Sequence, residues 1–398
     1  MSLDLTNVAA QVIAMVAGLK ERRAEQENRL RRAMETMTSP ATDLDALKKK
    51  IKDARTTWLV AEIVEGINEK HPLPPCPADF TIVATDGSHI DIDRHQAARC
   101  FLINTGSVTL TYGSKPDARL SSTPRLYSED KEMVMTPPGG GREQPIEGNI
   151  LGAKRAVEEC ARLAELAAAL PEKSAALALL DGTLILWGLD GYPEFVTDVL
   201  LHDGLLKHLG AIKKLNESRR TALASYISYP RSTDVLNVLR VAICPNDVPD
   251  CDKFCPPGKE RGCEGLAGVR DRDLFMNLLA SGERSALFIN TSKIVKEHYG
   301  EHAVYFFYLR NEDEIARVEV PEWVALDKGL LELTHALVYD QCRRGHGYPV
   351  ALSEAHEQAV ISGADRESFR ELVEEMLIME HMQSGSSKKS ESKRRRWI

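Results

Sequence analysis

Apolar positions follow two rhythms along this chain. Between residues 7 and 38 they recur at helical spacing (Val8, Ile13, Val16, Leu19, Leu30), followed by Arg22, Arg23, Arg31 and Arg32 on the polar side. That is the stripe of an amphipathic helix. Residues 1–70 read as helical and charged, with a break at Ser39-Pro40, and His71-Pro72-Leu73-Pro74-Pro75 then forms a linker. From residue 80 the rhythm shortens. Phe80 to Thr85 and Ala176 to Leu180 are short apolar runs that end in Asp86-Gly87-Ser88 and Asp181-Gly182-Thr183, as buried strands do. Cys100–Asn104 and Ser107–Tyr112 alternate like strands, with Asn104-Thr105-Gly106 as the turn between them, which gives a three-stranded antiparallel meander.

Farther along, a Gly/Pro-rich loop at 136–141 precedes a helix over 147–170, and helices follow near 193–215. A Tyr226–Pro230 strand, a helix at 232–242, strands at 286–290 and 304–309, and helices over 326–342 and from Ser353 complete the pattern. The order strand, strand, strand, helix, strand, helix, strand, with acids on the first and fourth strands, predicts an α/β fold: an RNase H-like mixed sheet flanked by helices. The predicted domains are a helical extension and linker over 1–75, a catalytic domain over 76–383 and a Ser/Lys/Arg-rich disordered tail over 384–398.

Composition narrows the function classes. With 398 residues, 43% of them hydrophobic, the chain can bury a large core. No run approaches the roughly 18 apolar residues of a membrane span, and Met1 to Leu5 lacks the basic start of a signal peptide. The expected location is the cytoplasm, away from membranes. A net charge of −8 argues against a uniform nucleic-acid coat and leaves phosphate binding to local patches such as Lys388, Lys389 and Lys393 to Arg396.

The chemistry gathers on carboxylates. Asp-Gly is ordinarily a turn, yet two copies with matching strand and hydroxyl context place Asp86 and Asp181 at the edge of one sheet. There they can share Mg²⁺ or Mn²⁺ through hard oxygen ligands. Two-metal phosphodiester cleavage needs a further carboxylate, and the intervening helix offers Glu158, Glu159 and Glu165. Its apolar stripe (Ala153, Val157, Cys160, Ala164) leaves Glu159 at the stripe's edge and turns the other two away, so Glu159 is the expected ligand. Ser353 is a candidate N-cap that would put His356 in the first turn of the last helix.

These residues resemble the NurA-domain nucleases, partners of HerA-type hexameric translocases. The matching features are the two Asp-Gly strand ends with the helical glutamate between them, Tyr226-Ile227-Ser228-Tyr229-Pro230, Asp271-Arg272-Asp273-Leu274-Phe275, and Tyr348-Pro349 followed by His356. The resemblance covers about residues 78–380. It implies that Asp86, Glu159, Asp181, Tyr348 and His356 are catalytic, the carboxylates and His356 holding Mn²⁺ or Mg²⁺. It also implies a deoxyribonuclease, a 5′–3′ exonuclease or endonuclease of end resection, repair or defence. Its expected partners are DNA, a HerA-like hexameric ATPase and a second copy of the chain. Since the sequence contains no Gly-x-x-x-x-Gly-Lys-Ser/Thr, a separate motor is needed. The alternative is a catalytically degenerate subunit that binds DNA or the translocase.

Of eight cysteines, Cys244, Cys251, Cys255 and Cys263 fall within twenty residues, in a loop rich in Pro and Gly. Four thiolates on such a segment suit a structural zinc ion, with an iron–sulfur cluster as the alternative. The metal would supply stability that so few apolar residues cannot. Cys76, Cys100, Cys160 and Cys342 are expected to be small buried residues.

Overall fold

The computed structural model describes residues 4–39, 43–91, 98–172, 174–256, 258 and 261–382. The basic tail and Pro40 of the predicted helix break lie outside them. The chain divides into two compact units, one of residues 1–73, 227–296 and 305–318, the other of residues 74–226, 297–304 and 319–398. The change at Leu73/Pro74 falls inside the proline-rich segment. Among the described residues no helix is long and apolar enough to cross a membrane.

The second unit contains a mixed sheet. Strand β1 (Phe80–Ile90) pairs antiparallel with β2 (Phe101–Tyr112), which pairs with β3 (Asp117–Tyr127). After helix α1 (Asn149–Ala168) the chain returns as β4 (Ala175–Asp181), parallel to β1, and later as β5 (Arg220–Ile227), parallel to β4. The order is therefore β5-β4-β1-β2-β3. The fold is α/β, a mixed sheet flanked by helices. Helices α2 (Lys328–Arg344) and α3 (Val350–Ala359) follow near the end. Ile82, Val83, Ala84, Leu177, Ala178 and Leu179 are fully buried on both faces of the central strands, which explains their unbroken apolar runs.

Several expected boundaries move. Asp86-Gly87-Ser88 does not end a strand: β1 continues through it to Ile90. The predicted turn at Asn104-Thr105-Gly106 is also absent, because β2 runs uninterrupted and pairs Gly106 with Asp86. The meander's third strand is β3, whose first ten residues are all exposed; without a buried face it carries no alternation to read. The strand expected at 226–230 lies earlier, at Arg220–Ile227. Helix α3 starts after Pro349 rather than Ser353. Proline presets the φ that a helix start needs, so His356 sits in the last turn instead of the first.

The first unit is built on the 34-residue helix Leu5–Thr38 and the helix Leu44–Asp53. Residues 54–70, which read as helical in the sequence, form no helix but short strands joined by bends and turns. Glu62-Ile63 pairs with Phe288-Ile289 and Lys70-His71 with Arg284-Ser285, with β-branched Ile63 suited to the pleated form. Asp271, from the Asp-Arg-Asp segment, is wholly buried. It accepts the backbone N–H groups of Val235 (3.1 Å) and Leu236 (2.7 Å) at the start of helix Asp234–Ala242, and the Tyr308 hydroxyl (2.7 Å). Burial and neighbouring Asp234 push its carboxyl up. Asp234 in turn receives Arg317 Nη1 at 2.7 Å. Here the segment is a buried helix cap.

Candidate active site

Asp86 lies mid-strand on β1. The parallel register Thr85–Leu180, carried one residue further, sets it beside Asp181 at the end of β4. Each carboxylate accepts the N–H of the glycine that follows, Asp86 from Gly87 at 2.8 Å and Asp181 from Gly182 at 2.9 Å. Asp181 is more exposed than half-buried Asp86, although its carboxyl is still partly withdrawn from water.

Helix α1 brings in the third acid. Thr85 Oγ1 donates to the Glu159 carbonyl at 2.9 Å, pinning that turn of the helix to β1. Glu159 is 7% exposed. Gly87 makes this close approach possible: a Cβ there would stand 2.9 Å from Arg155 Cγ and closer still to the Glu159 carboxylate. Glu158 is engaged elsewhere, with the Tyr127 hydroxyl and with Lys154 Nζ at 3.0 Å, and Glu165 pairs with Arg162 at the surface. Of the three glutamates, Glu159 is the one beside Asp86 and Asp181.

Helix α3 delivers His356, whose Nδ1 lies 2.7 Å from Asp86 Oδ2. The helix is held against the sheet at its end, where Ser88 Oγ (2.5 Å) and Asn104 Nδ2 (2.9 Å) donate to the Ala359 carbonyl. It is also seated directly on Gly106, where a Cβ would meet Ala359 N at 2.5 Å and collide with the Ala355 carbonyl. The Tyr348 hydroxyl donates to Asp181, and its ring packs edge-on against Tyr226 with centroids 5.6 Å apart. The structure therefore gathers Asp86, Glu159, Asp181, Tyr348 and His356.

Their electrostatics are those of crowded acids. Burial first, then the charges of Asp86 and Asp181, push Glu159 up to about 8, against the opposing pull of Arg155. Asp181 is also raised, by burial and by Asp86, while the Tyr348 hydrogen bond pulls it down. Arg155 Nε stands 3.1 Å from Glu159 Oε1, yet the pair lacks hydrogen-bond geometry and Oε1 is left buried without a partner. An orphaned carboxylate oxygen beside two further acids is a donor set suited to a hard divalent cation. Arg155 is not among the residues that the sequence singles out; its one signal is its place four residues before Glu159 on the same helix.

A tight cation cage is not pre-formed here. Among the described residues, three candidate ligand atoms come within 4.8 Å of one another only at Glu65, Glu69 and His71 in the first unit. There Glu65 already accepts from Leu287 N at 2.9 Å and lies 3.0 Å from His71 Nε2.

Cys244, Cys251, Cys255 and Cys263 line one cavity of about 20 Å³, together with Trp58 and Arg240. All four are free thiols. Arg240 Nη2 points at Cys263 Sγ (3.7 Å) and Asn246 Nδ2 at Cys244 Sγ (3.8 Å). No three sulfurs lie within 4.8 Å of one another, whereas tetrahedral zinc with bonds of about 2.3 Å sets sulfurs roughly 3.8 Å apart. Cys100, Cys160 and Cys342 are buried as expected. Cys76 is exposed, since its proline-rich segment is not packed in the core.

An α/β sheet with adjacent acids and a carboxylate-bonded histidine defines an acid-rich site of the kind that binds hard cations. A family model described as the NurA domain matches residues 80–361, well over half of the chain. The chain belongs to the NurA family, a family of nucleases. Comparison with curated proteins found no match.

Proposed function

We propose that the chain is a Mn²⁺- or Mg²⁺-dependent deoxyribonuclease on an RNase H-like sheet, with Asp86, Glu159, Asp181 and His356 as ligands. The observation that carries the reading is the buried Glu159 carboxylate beside Asp86 and Asp181, its Oε1 near Arg155 but without a hydrogen bond. The strand order β5-β4-β1-β2-β3 supports the fold assignment. When bound, the cations would supply an activated water and charge stabilisation at the leaving oxygen. Asp86 orients His356 through Nδ1 and leaves Nε2, on a 59% exposed side chain, as the nitrogen that would face a cation. Tyr348 fixes Asp181 and stands where a phosphate oxygen could accept its proton instead.

The reading extends to DNA resection with a HerA-like hexameric ATPase and to a homodimer. It is supported by the exposed apolar positions Leu5, Val12, Ile13, Met15, Val16 and Leu19 on the first helix, a face that calls for a partner. We also propose one structural metal on the four clustered cysteines, supported by their shared cavity and the N–H groups aimed at two of the sulfurs. Zinc and an iron–sulfur cluster would each be held by the same four thiolates.

The test is cleavage of end-labelled single- and double-stranded DNA with Mn²⁺, Mg²⁺ or EDTA. Asp86→Asn and Asp181→Asn should each abolish metal-dependent cleavage while leaving the protein folded. Absence of cleavage by the wild-type chain with either metal, alone and with its ATPase, would favour a catalytically degenerate binding subunit. Full activity in both variants would refute the site.

A further inference from the structure

The first unit contains a groove of about 980 Å³ whose charge is out of keeping with a chain of net charge −8. Lys48, Lys49, Lys52, Arg55, Lys293 and Lys296 line it, against a single acid, Glu62. The pattern begins in the helix Leu44–Asp53. Leu44, Leu47 and Ile51 face the core of this unit, which turns Lys48, Lys49 and Lys52 together onto the other side. The stretch after Asp53 adds Arg55, and the segment after Ile289 adds Lys293 and Lys296 to the lining.

Neighbouring cations repel unless something neutralises them. Among the described residues, Lys49, Lys52, Arg55 and Lys296 form no ion pair with any carboxylate, whereas elsewhere on the chain lysines and arginines are paired repeatedly, as in Lys213–Glu301 and Arg344–Asp340. Lys48 donates only to the Val64 carbonyl, at 3.2 Å. The walls also carry hydrogen-bond donors without acceptors. Ser292, 7% exposed, has an unpartnered buried Oγ, and Trp58 Nε1 is likewise buried and unpartnered. A groove lined by these cations and idle donors is complementary to an extended anion.

We propose that this groove binds the phosphodiester backbone of a nucleic-acid strand, as a second DNA contact that shares no residue with the carboxylate site. The proposal rests on the reading of the chain as acting on DNA. Six cations lining a groove of this volume match successive phosphates of a polymer better than one terminal phosphate, and backbone contact is sequence-independent, as resection requires. The groove gives an acidic protein the local basic surface that its overall charge denies it.

The test is fluorescence anisotropy with a labelled single strand and the matching duplex, in EDTA, over about 50 to 200 mM salt. The triple variant Lys49→Gln, Lys52→Gln, Lys296→Gln is compared with wild type and with a control triple, Lys115→Gln, Lys131→Gln, Lys253→Gln. Near 0.1 M salt each lost phosphate contact costs roughly five- to eightfold in affinity. The groove variant should therefore lose about a hundredfold or more, and its log–log salt slope should shrink by about two to three. The control should bind like wild type. Equal affinity and slope in all three proteins, or loss of binding in the control as well, would overturn the proposal. So would displacement of DNA by low concentrations of pyrophosphate or a nucleoside triphosphate, which would mark a pocket for a small phosphate ligand. Matching circular dichroism spectra and melting curves establish that the variants are folded. Cleavage assays on the same preparations separate the two readings: binding that depends on the groove stands without cleavage, and cleavage with groove-independent binding defeats the groove alone.

Discussion

Replacing Glu159 by Gln should make the metal-free protein more stable while destroying its proposed chemistry. The buried carboxyl titrates at about 8 instead of its ordinary 4.5, and every tenfold weakening of its acidity corresponds to about 1.36 kcal/mol between the two protonation states. Because the folded-state value is raised, the protonated carboxyl costs nothing below 4.5, and the penalty for ionising it builds as pH rises towards 8. Linkage puts that penalty at about 1 kcal/mol at pH 5, about 3 kcal/mol at pH 7 and, above pH 8, a plateau of about 5 kcal/mol. Gln keeps the shape and carries no charge, so the variant's advantage should follow the same curve, reduced somewhat by the lost attraction to Arg155. Urea unfolding of wild type and Glu159→Gln at pH 5, 7 and 8 in EDTA measures it. A variant less stable than wild type at pH 7, or an advantage that does not grow between pH 5 and 7, would refute the account of Glu159 as a strained acid. Adding Mn²⁺ should stabilise wild type and leave the variant with a smaller gain.

The other expectations are narrower. Gly106→Ala places a Cβ against the backbone of α3, so it should destabilise by about 1–3 kcal/mol and reduce cleavage more than binding, as seen in parallel urea unfolding and nuclease assays; a neutral effect on both would show that the helix is not seated there. Elemental analysis should find a structural metal that is lost in the double variant Cys251→Ser, Cys255→Ser, about one zinc per chain in colourless protein or about two to four irons in brown protein; a metal-free, fully folded protein would remove that site. Tyr348→Phe removes the hydrogen bond to Asp181 and should lower the turnover number while leaving DNA affinity within a few-fold, whereas an unchanged turnover would reduce Tyr348 to packing.

The elements legible in the sequence are those whose environment is uniform. The runs Ile82–Ala84 and Leu177–Leu179 are apolar because both of their faces are covered, and the apolar stripe of α1 points to Glu159 because a helix face is a local property. What escapes reading depends on partners distant in sequence. Asp86-Gly87 reads as a turn, yet it is strand, since Gly87 is required by the Glu159 carboxylate and Gly106 by the backbone of α3. The strand Ile315–Pro321 is missing from the sequence pattern although every residue in it is buried, because Arg317 and Glu319 interrupt its apolar run. Each is met by specific partners: Arg317 pairs with Asp234 at 2.7 Å, and Glu319 accepts from Thr183 Oγ1 at 2.7 Å and Leu184 N at 3.0 Å. Lys49, Lys52 and Lys296 are visible as residues, but no local pattern shows that they form no ion pair among the described residues.

The bond between His356 and Asp86 joins residues 270 positions apart. During synthesis, an unfinished chain therefore has its sheet and all three acids long before it has its histidine. Under the proposed assignment, a nascent or prematurely ended polypeptide can fold around Asp86, Glu159 and Asp181 and still be unable to cut. A single proteolytic nick with release of everything beyond Gly347 would return a mature molecule to that harmless condition. Under the same assignment, placing His356 on the last helix of the matched family region ties activity to completion of that region.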